Sequence, residues 1–270
     1  MLTLLAYLNT HIEFLTCLIL IGMLTGFFLA MTGGGGSILS VPLLLYVTKI
    51  PDVHMIIGTS AFSVAINSFI NAIHHGKKGN ISWIVSAWVS ALGVIGAFIG
   101  STFSKNVSGK AILIPFSILM IVIAFLMLKK FLRTKRETNN QLINSEINDD
   151  KNGLFTASSL TVGLTSGFLG IGGGFLVVPL LVWLKSFSTI RAIGTSLVAI
   201  FFMGLSTTIN YAMSEKVNWI WAIFLLVGGT IGGWGGAGLA NKLGKNNSTL
   251  TYCYVVMLTI SAVYMFVKNI

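Results

Sequence analysis

Long apolar stretches separated by short polar joints dominate the chain. They run over 12–32, 55–73, 82–103 and 111–131, and again over 154–171, 190–213, 217–240 and 249–267. A helix needs about 20 apolar residues to cross a hydrocarbon core of roughly 30 Å, so each stretch predicts a membrane span. Two further apolar pieces, 38–48 and 175–184, are much shorter. At about 1.5 Å per residue they reach about half way across. Each follows a glycine run and contains a proline, Pro42 or Pro179, which predicts short or broken helices. From Arg133 to Gly153 the chain turns polar and Asn-rich, with Arg133, Lys135, Arg136, Glu137, Glu146, Asp149, Asp150 and Lys151. That is the composition of a solvated linker. The pattern predicts an all-α polytopic membrane protein with one membrane unit over 1–132, a cytoplasmic linker over 133–153 and a second membrane unit over 154–270.

Composition agrees. Of 270 residues, 54% are hydrophobic and 9% charged, and mean hydropathy is +0.88. A soluble domain carries about 25% charged residues, so disorder, nucleic-acid binding and a secreted disulfide scaffold are excluded. Cys17 and Cys253 are too few for a disulfide framework and lack metal-ligand spacing. The net charge of +10 belongs to loop lysines and arginines that set orientation. The first basic residue is Lys49, so the charged start of a signal peptide is missing and the first apolar stretch is expected to stay in the mature protein.

The two halves repeat each other. Gly26, Gly33, Gly35, Gly36, Val41, Pro42, Leu43 and Leu44 match Gly163, Gly170, Gly172, Gly173, Val178, Pro179, Leu180 and Leu181 at an offset of 137. After one lost residue the offset is 136: Gly58-Thr59-Ser60 meets Gly194-Thr195-Ser196, Trp83 meets Trp219, and Gly93, Gly96 and Gly100 meet Gly229, Gly232 and Gly236. If the short pieces cross, each half has five crossings, the repeats are inverted, and 12 basic residues lie inside against 5 outside. If they do not, each half has four, giving eight spans, and the tally is 10 against 7. Positive charge concentrates on the cytoplasmic side, which favours the inverted five-plus-five arrangement.

The glycine runs are the candidate site. The first reads Gly33-Gly34-Gly35-Gly36-Ser37, the second Gly170-Ile171-Gly172-Gly173-Gly174. Flexible backbone inside a membrane is tolerated only where it lines a cavity or packs in protein. Each break also starts a helix, whose exposed N–H groups and partial positive charge attract anions. Paired breaks at matching places in two repeats point to a transporter site near the midplane. Thr59, Ser60, Thr195 and Ser196 follow glycines at helix starts, where a hydroxyl either caps the helix or meets substrate. Asn67 and Asn71 share a helix face, and Asn210 occupies the position of His74; amides in a span face the bundle or a water-filled path. His74 and His75 precede Lys77 and Lys78 and read as a basic loop. Trp83, Trp88, Trp219 and Trp221 fit an interfacial belt. Gly22, Gly26 and Ala30, Gly163 and Gly167, and Gly96, Gly100 and Ser104 have the small-residue spacing of close helix packing.

The twin glycine signatures ending in Val-Pro-Leu-Leu, each followed by Gly-Thr-Ser, resemble those of the sulfite exporter TauE/SafE family of bacterial membrane proteins, over nearly the whole chain. The first half departs from the second, with Ser37 in place of the third glycine and Gly34 in place of Ile171. The resemblance implies a multi-pass protein of the bacterial inner membrane that exports small sulfur-containing anions such as sulfite or organosulfonates. No charged residue lies near the centre of a long span, so a mid-membrane carboxylate for ion coupling is unsupported. An inside-negative potential would drive an anion outward by itself. The expected partners are a small anionic substrate and the lipid bilayer, without nucleic acid, cofactor or metal; self-association into a homo-oligomer stays open. A metal-cation permease lacks His/Cys/carboxylate clusters in the spans. An intramembrane peptidase lacks a central His, since His11, His54, His74 and His75 all fall near span ends. An accessory subunit leaves the duplicated breaks unexplained.

Overall fold

The computed structural model describes residues 12–48, 52–137, 150–170 and 172–243, with scattered positions between 252 and 267. Among these the chain is all-helical. Helices α1 (Ile12–Thr32), α2 (Gly35–Thr48), α3 (Val53–Gly76), α4 (Trp83–Ser104) and α5 (Gly109–Glu137) come from the first half. The second half supplies α6 (Asp150–Leu169), α7 (Gly174–Leu184), α8 (Thr189–Ala212) and α9 (Trp219–Leu243). Five of them, α1, α3, α4, α8 and α9, are long and apolar enough to cross a membrane. The short apolar pieces form 14- and 11-residue helices that continue through Pro42 and Pro179. Helix covers 133–137 and 150–153 as well, so the linker between α5 and α6 is shorter than 133–153. Its middle, with Glu146 and Asp149, and most of the 249–267 span lie outside the described residues.

Helices α3 and α8 are the inner pair. They are 67% and 72% buried over their apolar windows, against 44–50% for α1, α4 and α9. The outer helices turn large apolar side chains outward, among them Trp83, Trp88, Trp219 and Trp234, as a lipid-facing surface requires. Trp221, expected in the same belt, instead packs edge-on against Phe14 at 5.4 Å. His75 also departs from the sequence reading. Rather than belonging to a solvated loop it is fully buried, with Nε2 3.1 Å from the Ala30 carbonyl at the end of α1.

Glycines set the helix crossings, as their spacing predicts. A Cβ at Gly22 would meet Leu225, one at Gly26 would meet Gly229, and one at Gly236 would meet Phe27, so α1 and α9 run side by side in the same direction. The other half repeats this between α6 and α4: Gly163 faces Gly93, Gly167 faces Ala97 and Gly100 faces Leu164. The contact of Gly232 with Met23 is matched, after exchange of halves, by that of Gly96 with Leu160. By contrast α3 and α8 run in opposite directions, because Gly58 lies by Tyr211 and Gly194 by Asn80, with Gly204 between Ala61 and Ala65.

Candidate functional site

The chain leaves α1 at Thr32 and turns through Gly33, at φ +74°, before α2 begins. The second break turns at Gly170, Gly172 and Gly173, at φ +70°, +69° and +74°. L side chains rarely adopt this left-handed backbone, so glycine is required there. Gly33 lies against Ile193 and Ser196, and Ser196 Oγ donates to its carbonyl at 3.0 Å. Gly170 lies against Ile57, the counterpart of Ile193 in the other half. The two breaks then touch. A side chain at Gly34 would occupy the main chain of Gly174, and one at Gly174 would collide with Gly33 and Gly34. Gly172 is looser: a Cβ there would find Ile200 at 3.4 Å and Val64 at 3.6 Å, ordinary contact distances. Val64 and Ile200 sit at the middles of α3 and α8. Gly33, Gly34, Gly35, Gly36, Ser37, Gly170, Gly172, Gly173 and Gly174 are all buried; Gly172 and Gly174 sit by those midpoints, while Gly33 packs on Ile193, Gly36 on Thr25 and Leu29, and Gly170 on Ile57.

The two helix starts differ. Thr32 Oγ1, at the end of α1, accepts from the Gly35 N–H at 2.9 Å and so caps the start of α2, while Ser37 Oγ donates to the Gly34 carbonyl at 2.7 Å. Helix α7 starts from Gly173 without a side-chain cap. Beside Gly173 lies the Ser166 hydroxyl of α6, which is buried and has no hydrogen-bond partner. A buried hydroxyl without a partner is costly and marks a place for water or a ligand.

The threonines tie the halves together. Thr59 Oγ1 accepts from the Asn218 N–H at 2.9 Å, and Thr195 Oγ1 accepts from the Ser82 N–H at 3.0 Å. Each thus anchors the start of α9 or α4 in the opposite half. Ser60 donates to the Ile57 carbonyl of its own helix at 3.1 Å. Asn67 faces α9, where its Oδ1 accepts from Thr230 Oγ1 at 3.2 Å. Asn71, one turn on, donates to the Asn67 carbonyl, but its Oδ1 is buried and unpartnered. Thr207, its counterpart in α8, likewise has an unpartnered buried hydroxyl. Asn210 lies apart from the breaks, at the end of α8. Its amide donates to the Phe98 carbonyl and Ser101 Oγ, and its Oδ1 accepts from Lys105 Nζ at 2.6 Å.

The sequence reading passed over Thr32, Lys105 and Ser166. The repeat gave no signal for them, because Leu169, Asn241 and Leu29 stand at the equivalent positions. Among the described residues no cluster of His, Cys, Asp and Glu could hold a metal.

The model of the sulfite exporter TauE/SafE family matches residues 18–265. A probable membrane transporter protein of Xylella fastidiosa strain Temecula1 is 39% identical, over 90% of this chain and 92% of its own length. The probable membrane transporter protein YunE of Bacillus subtilis is 27% identical, over 89% of this chain and 94% of its own. One from Haemophilus influenzae is 25% identical, over 94% and 99%. No solved structure matches the chain.

Proposed function

The chain belongs to the sulfite exporter TauE/SafE family and is a multi-pass bacterial membrane transporter, and on that premise we propose that it exports small sulfur oxyanions or organosulfonates through a midplane site at the touching glycine breaks. The observation that carries this reading is the contact of the two breaks at Gly34 and Gly174, with Gly172 and Gly174 against Ile200 half way along α8. An anion there would find the uncapped start of α7 and the Ser166 hydroxyl. Charge at a helix N-terminus contributes about 0.3–1 kcal/mol, and up to about 2 kcal/mol in partly buried geometry.

The repeats are inverted five-plus-five units that rock against each other, with the breaks as hinge and site. The antiparallel α3 and α8 support this, because equivalent helices would run the same way in a parallel repeat. Lys105 and Lys216 support it too. They line one cavity, whereas the four-plus-four arrangement would put them on opposite faces. Transport needs no carboxylate: the potential supplies about 2.3 kcal/mol per charge per 100 mV.

The test is flux of labelled sulfite and of a sulfonate panel from proteoliposomes under an imposed potential. Voltage-driven efflux of at least one of them is expected; indifference of every anion in the panel rejects the substrate class. Gly172→Ala strains a left-handed backbone without a steric clash. It should slow flux about tenfold, equivalent to about 1.4 kcal/mol, while membrane assembly stays normal. Unchanged flux in this variant rejects the site.

A further inference from the structure

Away from the glycine breaks, one end of the inner helices opens into a cavity of about 430 Å³ lined by His54, Thr102, Lys105, Asn106, Ser214 and Lys216. Four helix ends build it: the starts of α3 and α9 and the ends of α4 and α8. Its two cations are held differently. Lys216 pairs with Asp52 at 2.8 Å. Lys105 is held by neutral oxygens alone, with Nζ donating to Asn210 Oδ1 at 2.6 Å, Ser214 Oγ at 2.8 Å and the Asn210 carbonyl at 3.2 Å. It forms no ion pair among the described residues. Glu215, between the cavity residues Ser214 and Lys216, is exposed at a left-handed position, φ +56°, and forms none either. The cavity therefore carries one half-buried positive charge that no carboxylate neutralises, among hydroxyl and amide donors.

Comparison of the halves sharpens this. The equivalents of Asp52, Lys105 and Lys216 are Ser188, Asn241 and Asn80. The repeat thus keeps the framework at both ends, including the ties from Thr59 and Thr195, but places neutral residues at these three positions in the other half. A lysine needed merely to join α4 to α8 would be as useful at the other end. An ammonium whose hydrogen bonds all go to neutral oxygens keeps its full positive charge, which attracts an anion into the cavity.

We propose that this cavity is an anion vestibule at one mouth of the transporter, where a small oxyanion or sulfonate docks on the Lys105 ammonium between Ser214, Thr102 and Asn106 before reaching the midplane. It takes its substrate class from the function proposed above, but the vestibule itself makes a separate claim. Its volume exceeds that of a sulfite ion several-fold, so the anion docks with part of its water.

Two measurements test it. In reconstituted vesicles, Lys105→Met should raise the KM for sulfite about tenfold, with kcat within about twofold of the parent, and Lys105→Arg should restore most of the affinity. A lysine that only joins helices would lower melting temperature and kcat instead and leave KM alone; that result overturns the vestibule. The second measurement does not need transport. In full-length protein with ¹³C-methylated lysines, the Lys105 signal, identified by its loss in Lys105→Arg, should shift with sodium sulfite and not with matched sodium gluconate. An unmoved signal overturns the vestibule whatever the flux assay finds. A shifted signal in a protein that moves none of the anions leaves the vestibule standing and rejects only the export reading.

Discussion

Asp52 does two jobs at the start of α3. Its carboxylate accepts from the Met55 N–H at 3.1 Å as an N-cap and pairs with Lys216 across the interface between halves. Burial alone would raise its pKa, but hydrogen bonds from Lys216 and from the Met55 and His54 amides outweigh this and hold it below the ordinary 3.8. A carboxyl lowered on folding adds stability that is complete above its unfolded value and is lost as pH falls through the folded one. The contribution should therefore be present at neutral pH and vanish only in acid below about pH 4. With both side chains partly in water it is worth less than about 1 kcal/mol. Asp52→Asn keeps a capping oxygen and should cost no more than that, whereas Asp52→Ala loses cap and pair and should cost about 1–2 kcal/mol. Denaturant titration of the purified protein checks the ordering. Thr59→Val and Thr195→Val should cost about 1 kcal/mol each, because each strands one amide of the opposite half. Similar losses are expected from the two, and a large inequality would count against equivalent roles.

At the scale of elements, the glycines divide into those that permit a crossing and those that turn the chain. Gly26→Ala and Gly163→Ala put a methyl into the main chain of a neighbouring helix. Both should destabilise the fold by about 1–3 kcal/mol. Gly238→Ala, also in α9 but with open space where its Cβ would go, should be neutral or gain up to about 1 kcal/mol of helix propensity. Thermal unfolding in one detergent ranks the three. The small-residue spacing of Gly22, Gly26, Gly96 and Gly100 made these crossings legible from sequence, because close approach demands residues without bulk every fourth position. The breaks were equally legible at Gly33 and Gly170, where glycine runs interrupt apolar stretches. Which partner each break would meet was not legible, since that depends on how α3 and α8 cross. His75 misled for a related reason. Its neighbours Lys77 and Lys78 suggest solvent, yet the last turn of α3 presses it against α1. Lys105 carried no signal at all, because the chemistry around it comes from α8, over 100 residues away in sequence.

For the whole molecule, the duplicated motifs were legible in the sequence, and the charge tally gives an expected orientation that labelling tests. Thiol labelling decides between the two arrangements. Cysteines at Asn106 and Ser214 line the same cavity and should react with a membrane-impermeant reagent from one face only, the same face for both. Labelling from opposite faces would favour eight spans.

If the proposed route runs through the glycine breaks, their contact also sets what kind of door it is. Where Gly34 meets Gly174 the seal is made of main chain, which has no rotamers to flip. Passage then demands that whole helices part, a collective motion on the microsecond-to-millisecond scale, not the picosecond-to-nanosecond swing of a side chain. On that route the resting protein would be tight against stray protons and water, and its turnover would be bounded by the stiffness of its helices and hardly at all by the size of what it carries.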